Sequence, residues 1–486
     1  MKAHAIPLVA ALVIATDATA QVPIIDYSFL ALPPSVEVNS IVVQPDGRIL
    51  MGGAFTNYAG SGKNNLVRLN SDGTVDPGWN PGGTGPGNAV EDIVLMPDGR
   101  IIIGGNFVEY NSEQVQFVAR LMPSGLLDGS FNIPPNSINN EVLAVELHAD
   151  EKVLAAGDFF MCYGHSMPHI ARFNSDGSLD MSFDIGSGFD SRVHDLLVLP
   201  DLRVLVAGDF STFNGNPCGR VALLSPDGPY DPSMDNDPGL TGTVCTAHAL
   251  LRQPDGKLLV SGAFSTHNGS PANGIVRLDI DGTRDPGFTS PFYPFAQVDA
   301  MALQADGRIL VGGEYTGTMY DPNVPGPERL TRINADGSRD DTFAIGDGIL
   351  PDPGATAFVR SIAVQNDEKI LVGGKFGALH TETQYKQIIR LREAAISNGI
   401  TEQSTTSDLH AWMDPASGDV IMSASCDVTG SATLLIHAAN GQLVYRSTVA
   451  TTPGTLVRVH PCLVPGIHSL TLEQNGRQVT MKLLVP

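Results

Sequence analysis

Residues 44–55 read Gln-Pro-Asp-Gly-Arg-Ile-Leu-Met-Gly-Gly-Ala-Phe, and this phrase returns throughout the chain. Close copies span residues 96–107, 253–264 and 304–315, and weaker copies span 149–159, 200–210 and 366–376. The turn aspartates that mark the seven copies are Asp46, Asp98, Asp150, Asp201, Asp255, Asp306 and Asp367. A period of roughly 50 residues predicts a repeat architecture in which each copy forms one structural unit.

Each copy is predicted to form four short β-strands. In the first copy, the apolar run Ser40–Val43 leads into a turn at Pro45–Gly47, and residues 48–55 return as a second strand. Leu66–Leu69 supply a third strand, which ends in a turn at Ser71–Gly73. No stretch has a convincing helical period of apolar residues. Four short strands per repeat are typical of propeller blades, so we expect an all-β fold, a seven-bladed β-propeller.

A second motif predicts how this propeller closes. It is an aspartate followed three residues later by an aromatic residue, or in one copy by methionine. It follows the third strand of six copies, at Asp76, Asp128, Asp180, Asp231, Asp285 and Asp340. The seventh copy ends at Ile389–Leu391 without the motif, which stands instead near the start of the chain as Asp26–Phe29. We therefore expect an N-terminal strand to complete the last blade, which leaves no sheet edge unpaired.

The charge of the chain argues against polyanionic partners. The sequence has 29 Lys and Arg against 52 Asp and Glu, which gives 29 − 52 = −23. Nucleic acids and anionic membrane surfaces are bound largely through Lys and Arg, so we expect neither as a partner.

The N-terminus has the features of a signal peptide spanning residues 1–20. Lys2 precedes a short apolar stretch at Ala5–Ala15, and Ala18-Thr19-Ala20 fits a small-x-small cleavage site that leaves Gln21 first. No apolar run is long enough to span a bilayer. We expect an exported chain with no transmembrane segment after processing.

The repeats resemble a known family. The pattern QPDGRIL-GG-F, then VRLN-DG and D-x-S-F, is closely similar to the delta-60 repeats of bacterial secreted proteins over residues 24–392. Leu223 departs from it, because it stands where the other copies have an arginine such as Arg68. The resemblance implies a propeller architecture, which we assign to residues 21–392, but no defined activity.

The remaining residues divide into a linker and a second domain. Residues 393–408 are polar and rich in Ser and Thr, as linkers are. Residues 409–486 resemble the C-terminal sorting domain of the type IX secretion system of Bacteroidetes, with turn phrases at 414–418, 440–443 and 463–467. That family usually has Asn in place of Asp414 and Tyr in place of His468.

This second resemblance implies an immunoglobulin-like β-sandwich that the type IX secretion machinery recognises as a partner. It also implies release from a Gram-negative bacterium, or attachment to its outer surface. The alternative is an ordinary immunoglobulin-like sandwich used for adhesion, because that architecture is widely reused.

Five cysteines in an exported chain permit disulfides and leave one thiol over. Cys426 and Cys462 both lie in the C-terminal domain and are compatible with a bridge. A bridge between Cys218 and Cys245 is compatible with propeller geometry, because the connections that carry them emerge on the same face. Cys162 is then the odd cysteine.

Two groups of residues have the composition of metal ligands. Cys162, His165 and His169 lie in one loop and suit zinc or copper, but they lack a fourth ligand, so an exposed loop with a free thiol is favoured. Asp231, Asp235 and Asp237 suit calcium but lack a complete calcium-binding loop. We expect no metal and no cofactor.

Pairs of aspartates four residues apart flank the outer turns. They are Asp72 with Asp76, Asp176 with Asp180, Asp227 with Asp231, Asp281 with Asp285, and Asp336 with Asp340. Calcium binding is one interpretation. The favoured one is that the first aspartate satisfies amides of its own turn, and that the second pairs with the third-strand arginine or with backbone donors.

Motifs of enzymes are missing from the sequence. There is no Gly-x-Ser-x-Gly elbow, no phosphate-binding loop, no His-Glu-x-x-His and no dinucleotide fingerprint. We therefore expect no catalytic residues and a non-enzymatic binding or adhesion protein, with a polysaccharide, peptide or matrix ligand. The alternatives are a secreted hydrolase or lyase with a site at the mouth of the propeller channel, and a purely structural envelope component.

Ligand binding is expected on the face that carries the long loops, since loops on a rigid scaffold usually hold binding residues. Phe292, Tyr293 and Phe295 lie in such a loop and suit stacking against a carbohydrate or peptide. Packing of these aromatics over the top of the blade is the alternative.

Overall fold

The computed structural model describes most of the repeat region and the strands that follow it. The described residues are 23–393, apart from 35, 235–237, 295, 316–328, 344, 346–347, 353–354 and 380–386, together with the seven strands between 409 and 485. The predicted signal peptide and linker lie outside these residues. Residues 22–394 form one compact unit, and the strands after residue 395 belong to a second.

Each repeat of the first unit folds into an antiparallel sheet, in which the second strand lies between the first and the third. We call these repeat sheets 1 to 7, and number them along the chain. Their strands are Glu37–Val43, Ile49–Ala54 and Leu66–Leu69 in sheet 1; Val90–Leu95, Ile101–Gly105 and Val118–Leu121 in sheet 2; Val142–Leu147, Val153–Gly157 and Ile170–Phe173 in sheet 3; Val193–Val198, Val204–Gly208 and Val221–Leu224 in sheet 4; Thr246–Arg252, Leu258–Ala263 and Ile275–Leu278 in sheet 5; Gln297–Leu303, Ile309–Glu314 and Leu330–Ile333 in sheet 6; and Phe358–Val364, Ile370–Lys375 and Ile388–Glu393 in sheet 7.

Short elements decorate the connections between these strands. Most are two-residue strands on the long loops: Glu109–Tyr110, Glu113–Gln114, Met161–Cys162, His165–Ser166, Thr212–Phe213, Asn216–Pro217, Leu240–Thr241, Thr266–His267, Ser270–Pro271, Ile349–Leu350 and Ala378–Leu379. Two single-turn 3-10 helices span Tyr58–Gly60 and Ala149–Glu151. No helix in the described parts of the chain is long and apolar enough to cross a membrane. The predicted all-β class with propeller-like repeats is confirmed.

The core lies between neighbouring sheets. Every residue of the second strands Ile101–Gly105 and Val153–Gly157 is buried, since these strands are covered on both faces. This explains their nearly continuous apolar sequence. Packing runs from sheet to sheet: Leu50 of sheet 1 belongs to the same buried cluster as Val90 and Ile103 of sheet 2.

The last repeat sheet packs against the first. The first strands of successive sheets contact one another in order, and that of sheet 7 contacts that of sheet 1. The amide of Ile41 donates to Ser361 Oγ at 3.0 Å across this boundary. Strand Pro23–Ile25 from the N-terminus pairs with the third strand of sheet 7, where Ile25 lies opposite Leu391.

The second unit consists of two antiparallel sheets. One has the strand order Leu409–Met413, Val420–Ala424, Leu456–Val459, and the other has the order Leu443–Thr451, Gly430–Ala438, Gly466–Gln474, Arg477–Val485. In strand Gly430–Ala438, Leu434 and Ile436 are buried, while the alternating residues Thr433, Leu435 and His437 are only half-buried. This alternation is expected of a sheet covered on one face.

Candidate functional site

One end of the repeat sheets is occupied by arginine–aspartate pairs. In six sheets the third-strand arginine donates from Nε to the motif aspartate at 2.6 to 3.0 Å. The pairs are Arg68–Asp76, Arg120–Asp128, Arg172–Asp180, Arg277–Asp285, Arg332–Asp340 and Arg390–Asp26. The expectation that the second aspartate of an outer turn pairs with this arginine or with backbone donors is confirmed at four turns, where Asp76, Asp180, Asp285 and Asp340 do both.

Sheet 2 shows what each pair holds together. Asp128 Oδ1 accepts from the amide and the hydroxyl of Ser130, at 3.0 and 2.6 Å. The guanidinium of Arg120 lies over the ring of Phe131, 5.0 Å from its centre, and donates to Ser175 O of sheet 3 at 2.7 Å. The motif therefore joins each sheet to the next as well as closing its own turn.

The N-terminal motif makes the same contacts across the boundary between sheets 7 and 1. Arg390 lies over Phe29 and donates to Ser71 O of sheet 1. The Leu30 amide donates to Asp72 O at 2.6 Å, as the Asn132 amide does to Asp176 O at 2.9 Å. The N-terminal segment thus takes the role that the chain after the third strand takes in the other repeats.

Sheet 4 lacks the arginine, and its motif aspartate keeps only the second cation that the other sheets also have. Leu223 is fully buried at the arginine position, and Asp231 accepts at 3.2 Å from Arg203, just before the second strand, where Lys152 pairs with Asp180 in sheet 3. Asp180 of sheet 3 shows the electrostatic effect of such pairing. Burial alone would raise the pKa of its carboxyl, but hydrogen bonds from Lys152, Ser182 and Arg172 lower it well below the usual range.

The first aspartate satisfies its own turn, as predicted, in four of the five pairs, at Asp72, Asp176, Asp281 and Asp336. Asp227 is followed two residues later by Pro229, which has no amide to donate. Asp72 Oδ1 accepts from the amide and the hydroxyl of Thr74 at 2.9 and 2.6 Å, and these bonds lower the pKa of Asp72. Asp235 and Asp237 of the calcium hypothesis lie outside the described residues. This end of the repeats is devoted to scaffold contacts.

The opposite end of each repeat carries a β-bulge in the first strand. The pairing register of the first strand shifts by one residue in all seven repeat sheets. The bulged residues, which we call the bulge ring, are Asn39, Glu91, Leu143, His194, His248, Asp299 and Arg360. Bulges re-aim side chains and are frequent beside functional sites. Each one faces the end of the second strand, where the long loop begins.

A glycine in the second strand makes room for each bulge. A Cβ on Gly105 would lie 2.2 Å from Ala89 O, closer than any side chain tolerates. The equivalent glycines, Gly53, Gly157, Gly208, Gly262, Gly313 and Gly374, meet a backbone oxygen at 2.1 to 2.3 Å in the same way. The second glycine of the repeated phrase is therefore required by the bulge.

Bulged residues of neighbouring sheets contact one another. Asn39 Nδ2 donates to Glu91 Oε2 at 3.0 Å. The rings of His194 and His248 meet edge to face with centres 5.2 Å apart, and His248 Nδ1 lies 2.6 Å from Asp299 Oδ1. Since each first strand contacts its counterparts in both adjacent repeats, the bulge ring lies where the seven inner strands converge.

The bulge ring is polar and mostly acidic in its surroundings. Burial, with the neighbouring Glu141 and Glu37, raises the pKa of Glu91 to about 7. Beside His194, Asp209 lies 3.1 Å from Nε2. Burial opposes ionisation of Asp209, but the contact with His194 and other polar neighbours lower its pKa to about 2.

Two further carboxylates join the inner strands just beyond the bulges. Asp92 accepts from the Val145 amide of sheet 3 at 3.0 Å, and Asp195 accepts from the Leu250 amide of sheet 5 at 2.7 Å. Burial raises the pKa of both carboxyls. They satisfy amides on the inner edges of adjacent sheets, which have no further strand to pair with.

The aromatic residues proposed from the sequence lie apart from this ring. Phe292 is only 4% exposed, and its ring centre lies 5.0 Å from that of Tyr315. It therefore packs in the core of sheet 6, as the alternative interpretation held. Tyr293 is half-buried and Phe295 lies outside the described residues, so ligand binding by these aromatics stays a prediction.

The cysteine expectations need correction. Cys162 is buried, and burial raises the pKa of its thiol to about 12, so the expected exposed thiol is wrong. Cys218 and Cys245 form no disulfide, because their Sγ atoms point to different carbonyls, Ser211 O at 3.7 Å and Leu240 O at 3.1 Å. Cys426 and Cys462 lie outside the described residues.

The histidines of the proposed cluster also stand apart. His165 is exposed, whereas His169 Nδ1 lies 3.0 Å from Gly157 O. Within the part of the chain that the structure describes, no three His, Cys, Asp or Glu side chains are grouped closely enough to hold a metal ion.

Sequence reasoning missed the bulge ring. A bulge leaves no mark in the apolar pattern of the first strand, because the register recovers within one residue. The available signal was a polar residue inside an apolar strand, as with His194 before Asp195 or His248 within Thr246–Arg252. Read in one copy, such a residue is unremarkable, but six of the seven aligned positions are polar.

Comparisons with known proteins identify the repeats. Six segments match the family described as a domain of unknown function (DUF5122) beta-propeller, at residues 44–78, 97–131, 148–183, 199–233, 253–288 and 304–343. Together they cover less than half of the chain. No curated protein matches it.

Two solved structures align with most of the chain at low similarity. One is PorZ, described as an essential bacterial surface component of the type-IX secretion system of Porphyromonas gingivalis. It aligns over 93% of this chain and 82% of its own, with 12% identity and a TM-score of 0.29. The other is GH43B of a xyloglucan PUL from Bacteroides ovatus, which aligns over 94% and 91% with 12% identity and a TM-score of 0.24. Neither alignment carries an argument. The six matched segments, together with the observed sheets, show an all-β protein with β-propeller repeats similar to those of DUF5122.

Proposed function

We propose that this chain is an exported, non-enzymatic protein that binds an extracellular polysaccharide, peptide or matrix ligand on the loop side of a seven-bladed propeller of delta-60 repeats. The bulge ring forms the centre of the binding face. The N-terminal strand closes the propeller, whose domain spans residues 21–392 after removal of the signal peptide at 1–20.

The observation that carries this proposal is the polarity of the bulge ring. Six of its seven side chains are polar or ionisable, although each interrupts a strand that is otherwise largely apolar. Some of these side chains bond one another across neighbouring sheets, while the arginine–aspartate pairs join the sheets at the opposite end. Polar groups that converge in one place are the usual means of orienting a ligand.

We further propose that residues 409–486, after the linker at 393–408, are an immunoglobulin-like sorting domain for type IX secretion. The two antiparallel sheets of this unit support a sandwich of that kind. The domain would bring the propeller to the outer surface of a Gram-negative bacterium, attached or released. Deleting residues 409–486 in the native host should trap the protein in the periplasm, whereas secretion of the truncated chain would contradict the assignment.

Binding is tested with the full-length chain on glycan and peptide arrays. A double variant of the bulge ring, Asn39→Ala with His194→Ala, should weaken binding to any retained ligand by tenfold or more. The matched control, Asp255→Ala, changes an exposed turn at the other end of sheet 5 and should bind as the parent does. Equal loss in both variants, or no ligand on either array, would contradict the proposal.

One observation favours a second function, a hydrolase or lyase with its site at the bulge ring. Glu91 of the bulge ring and Glu146, three residues past the bulge of sheet 3, lie on inner strands that contact each other. Burial raises the pKa of both to about 7, and carboxyls with such values serve as general acids. Incubation of arrayed glycans with the protein, followed by mass spectrometry of released sugars, separates the two functions. Turnover that Glu91→Gln abolishes would establish the enzyme, and bound but intact glycans support the binding protein.

A further inference from the structure

Seven backbone amides lie at equivalent places on the inner edge of the repeat sheets, two residues past each bulge. They belong to Ile41, Ile93, Val145, Leu196, Leu250, Met301 and Ile362, and each of these residues lies opposite the same position of its second strand. The shared register directs all seven N–H groups away from the second strand, so each needs another acceptor. Five of them have one within the described structure.

Two aspartates and a serine accept from these five amides. Asp92 of sheet 2 uses one oxygen for the Ile93 amide at 2.8 Å and the other for the Val145 amide of sheet 3 at 3.0 Å. Asp195 joins sheets 4 and 5 in the same way, and Ser361 Oγ accepts from the amide of sheet 1. A carboxylate at this place therefore bridges the inner edges of two neighbouring sheets.

The two remaining amides, those of Met301 and Ile362, belong to neighbouring sheets. The first strands of sheets 6 and 7 contact each other, as those of sheets 2 and 3 do. Ala300 stands in sheet 6 where sheet 2 has Asp92, so this strand has no carboxylate to bridge the two amides. Neither amide has an acceptor within the part of the chain that the structure describes. Two donors thus share the arrangement that a carboxylate joins between sheets 2 and 3.

The inner edge borders solvent at this place. Met301 and Ser361 keep part of their surface exposed, as Asp92 does at the equivalent position of sheet 2. Because Ala300 is shorter than an aspartate by its carboxyl group, a carboxylate from solvent can take the place that Asp92 fills with its own. The Ser361 hydroxyl leaves this place open, since it is turned to the Ile41 amide of sheet 1.

The charges on these two strands favour an anion. The first strand of sheet 7, Phe358–Val364, has no acidic residue and carries the exposed Arg360, whose guanidinium lies 4.5 Å from the ring centre of Phe358. Among the described residues, Arg360 forms no ion pair. The acidic residue of the first strand of sheet 6, Asp299, is turned to His248 of sheet 5, on the side away from sheet 7.

We propose that the amides of Met301 and Ile362 form a subsite for a carboxylate between the inner strands of sheets 6 and 7. The carboxylate accepts one hydrogen bond from each amide, as Asp92 does from two amides of sheets 2 and 3, beside the positive charge of Arg360. This inference rests on the proposed function and narrows it, because the subsite adjoins the bulge ring and the ligand would then carry carboxylates.

The test uses the full-length protein, labelled with 15N-methionine, and D-glucuronate as probe at constant pH and ionic strength. The amide proton of Met301, assigned with Met301→Leu, should move downfield and saturate as D-glucuronate is added, because it gains a charge-assisted hydrogen bond. D-glucuronamide, which has the same ring but no negative charge, should leave the signal in place. A parent chain whose Met301 amide gives no saturable shift, or responds equally to D-glucuronamide, would overturn the proposal.

The variant Ala300→Asp supplies the carboxylate from within the chain. Its Met301 signal should lie downfield before any probe is added, and its affinity for D-glucuronate should fall tenfold or more. Ala305→Asp is the matched control, since it adds the same charge to an exposed turn of the same sheet and should bind as the parent does. Full affinity in a folded Ala300→Asp variant would also contradict the subsite. Should this variant fail to fold, the comparison of the two probes on the parent decides alone.

The array experiment separates this inference from the broader one. If an array ligand binds at the bulge ring and excess D-glucuronate does not compete, the binding function stands and the carboxylate subsite is wrong. If D-glucuronate competes, a galacturonate oligomer and a glutamate tripeptide tested as competitors identify which source of the carboxylate is preferred.

Discussion

Single side chains in this protein make contacts that extend beyond their own repeat. The arginine of the third strand neutralises an aspartate, covers an aromatic ring and donates to the neighbouring sheet, all from one guanidinium. Its planar group with five donors permits this, and a lysine would not replace it. In sheet 4 the aspartate has only the cation that precedes the second strand, Arg203, so the carboxylate is the constant member of the motif.

Removing that carboxylate in one repeat should be costly. Asp128→Ala leaves the guanidinium of Arg120, whose side chain is 2% exposed, buried without a counter-charge. We expect a loss of about 3–5 kcal/mol in the free energy of unfolding, measured by urea denaturation. Asp98→Ala, at an exposed ion pair in the same sheet, should cost no more than about 1 kcal/mol. Similar losses for the two variants would argue against the scaffold role.

The raised pKa of Glu91 predicts that its contribution to the stability of the fold changes with pH in the opposite direction to that of the paired aspartates. Its pKa rises from an ordinary 4.5 to about 7 in the folded chain, so its deprotonation destabilises the fold as the pH rises through this interval. Glu91→Gln should therefore raise the melting temperature at pH 8 and change it little at pH 4.5. The exposed Glu109→Gln should do neither. A larger gain at pH 4.5 than at pH 8 would refute the assignment.

At the scale of the element, the packing of the first strand and its bulge depends on two glycine positions in the second strand. The first glycine of the pair faces the next sheet, as Gly104 faces Val142 and Val145, and two repeats have alanine there at Ala156 and Ala207. The second glycine faces the backbone of the bulge and never varies within this chain. The two positions differ because a side chain can move aside and a strand backbone cannot.

This difference predicts unequal effects of two adjacent substitutions. Gly105→Ala places a methyl group against Ala89 O and should reach the upper end of the roughly 1–3 kcal/mol that overpacking costs, or exceed it. Gly104→Ala meets side-chain methyl groups and should fall at the lower end. Urea denaturation of both variants provides the comparison. Equal costs would mean that the bulge yields as easily as packed side chains do.

The elements also show what the sequence could and could not predict. Strand positions and turns followed from the repeated phrase, because apolar runs and Pro-Asp-Gly fix them locally. The pairing of Arg172 with Asp180 was one of two alternatives, and the structure shows that this aspartate also binds backbone and hydroxyl donors. The His248–Asp299 contact was not predictable, since it joins two bulges 51 residues apart whose existence depends on register across strands.

At the scale of the whole molecule, the two ends of the repeat region meet in one sheet. Pro23–Ile25 extends sheet 7, and Asp26, Ser28 and Phe29 then repeat the motif contacts with Arg390. Arg390 in turn donates to Ser71 O of sheet 1. Each sheet thus has a neighbour on both sides. In each of the first six sheets a single bridge, such as Leu69 to Val75, joins the third strand to the chain that follows it, at the edge where sheet 7 has Pro23–Ile25. An array of repeats with free ends would have no use for this exchange of strands.

The measurement that tests this closure most directly is a designed disulfide between the two ends. Ile24 and Arg392 lie directly opposite each other in the antiparallel pair, a spacing that suits a bridge. After mild oxidation of the double variant Ile24→Cys with Arg392→Cys, we expect a monomer in which mass spectrometry finds the peptides containing residues 24 and 392 joined. Single-cysteine variants should give no such product. Two unreacted thiols, or bridges only between separate molecules, would contradict a ring closed by its own N-terminal strand.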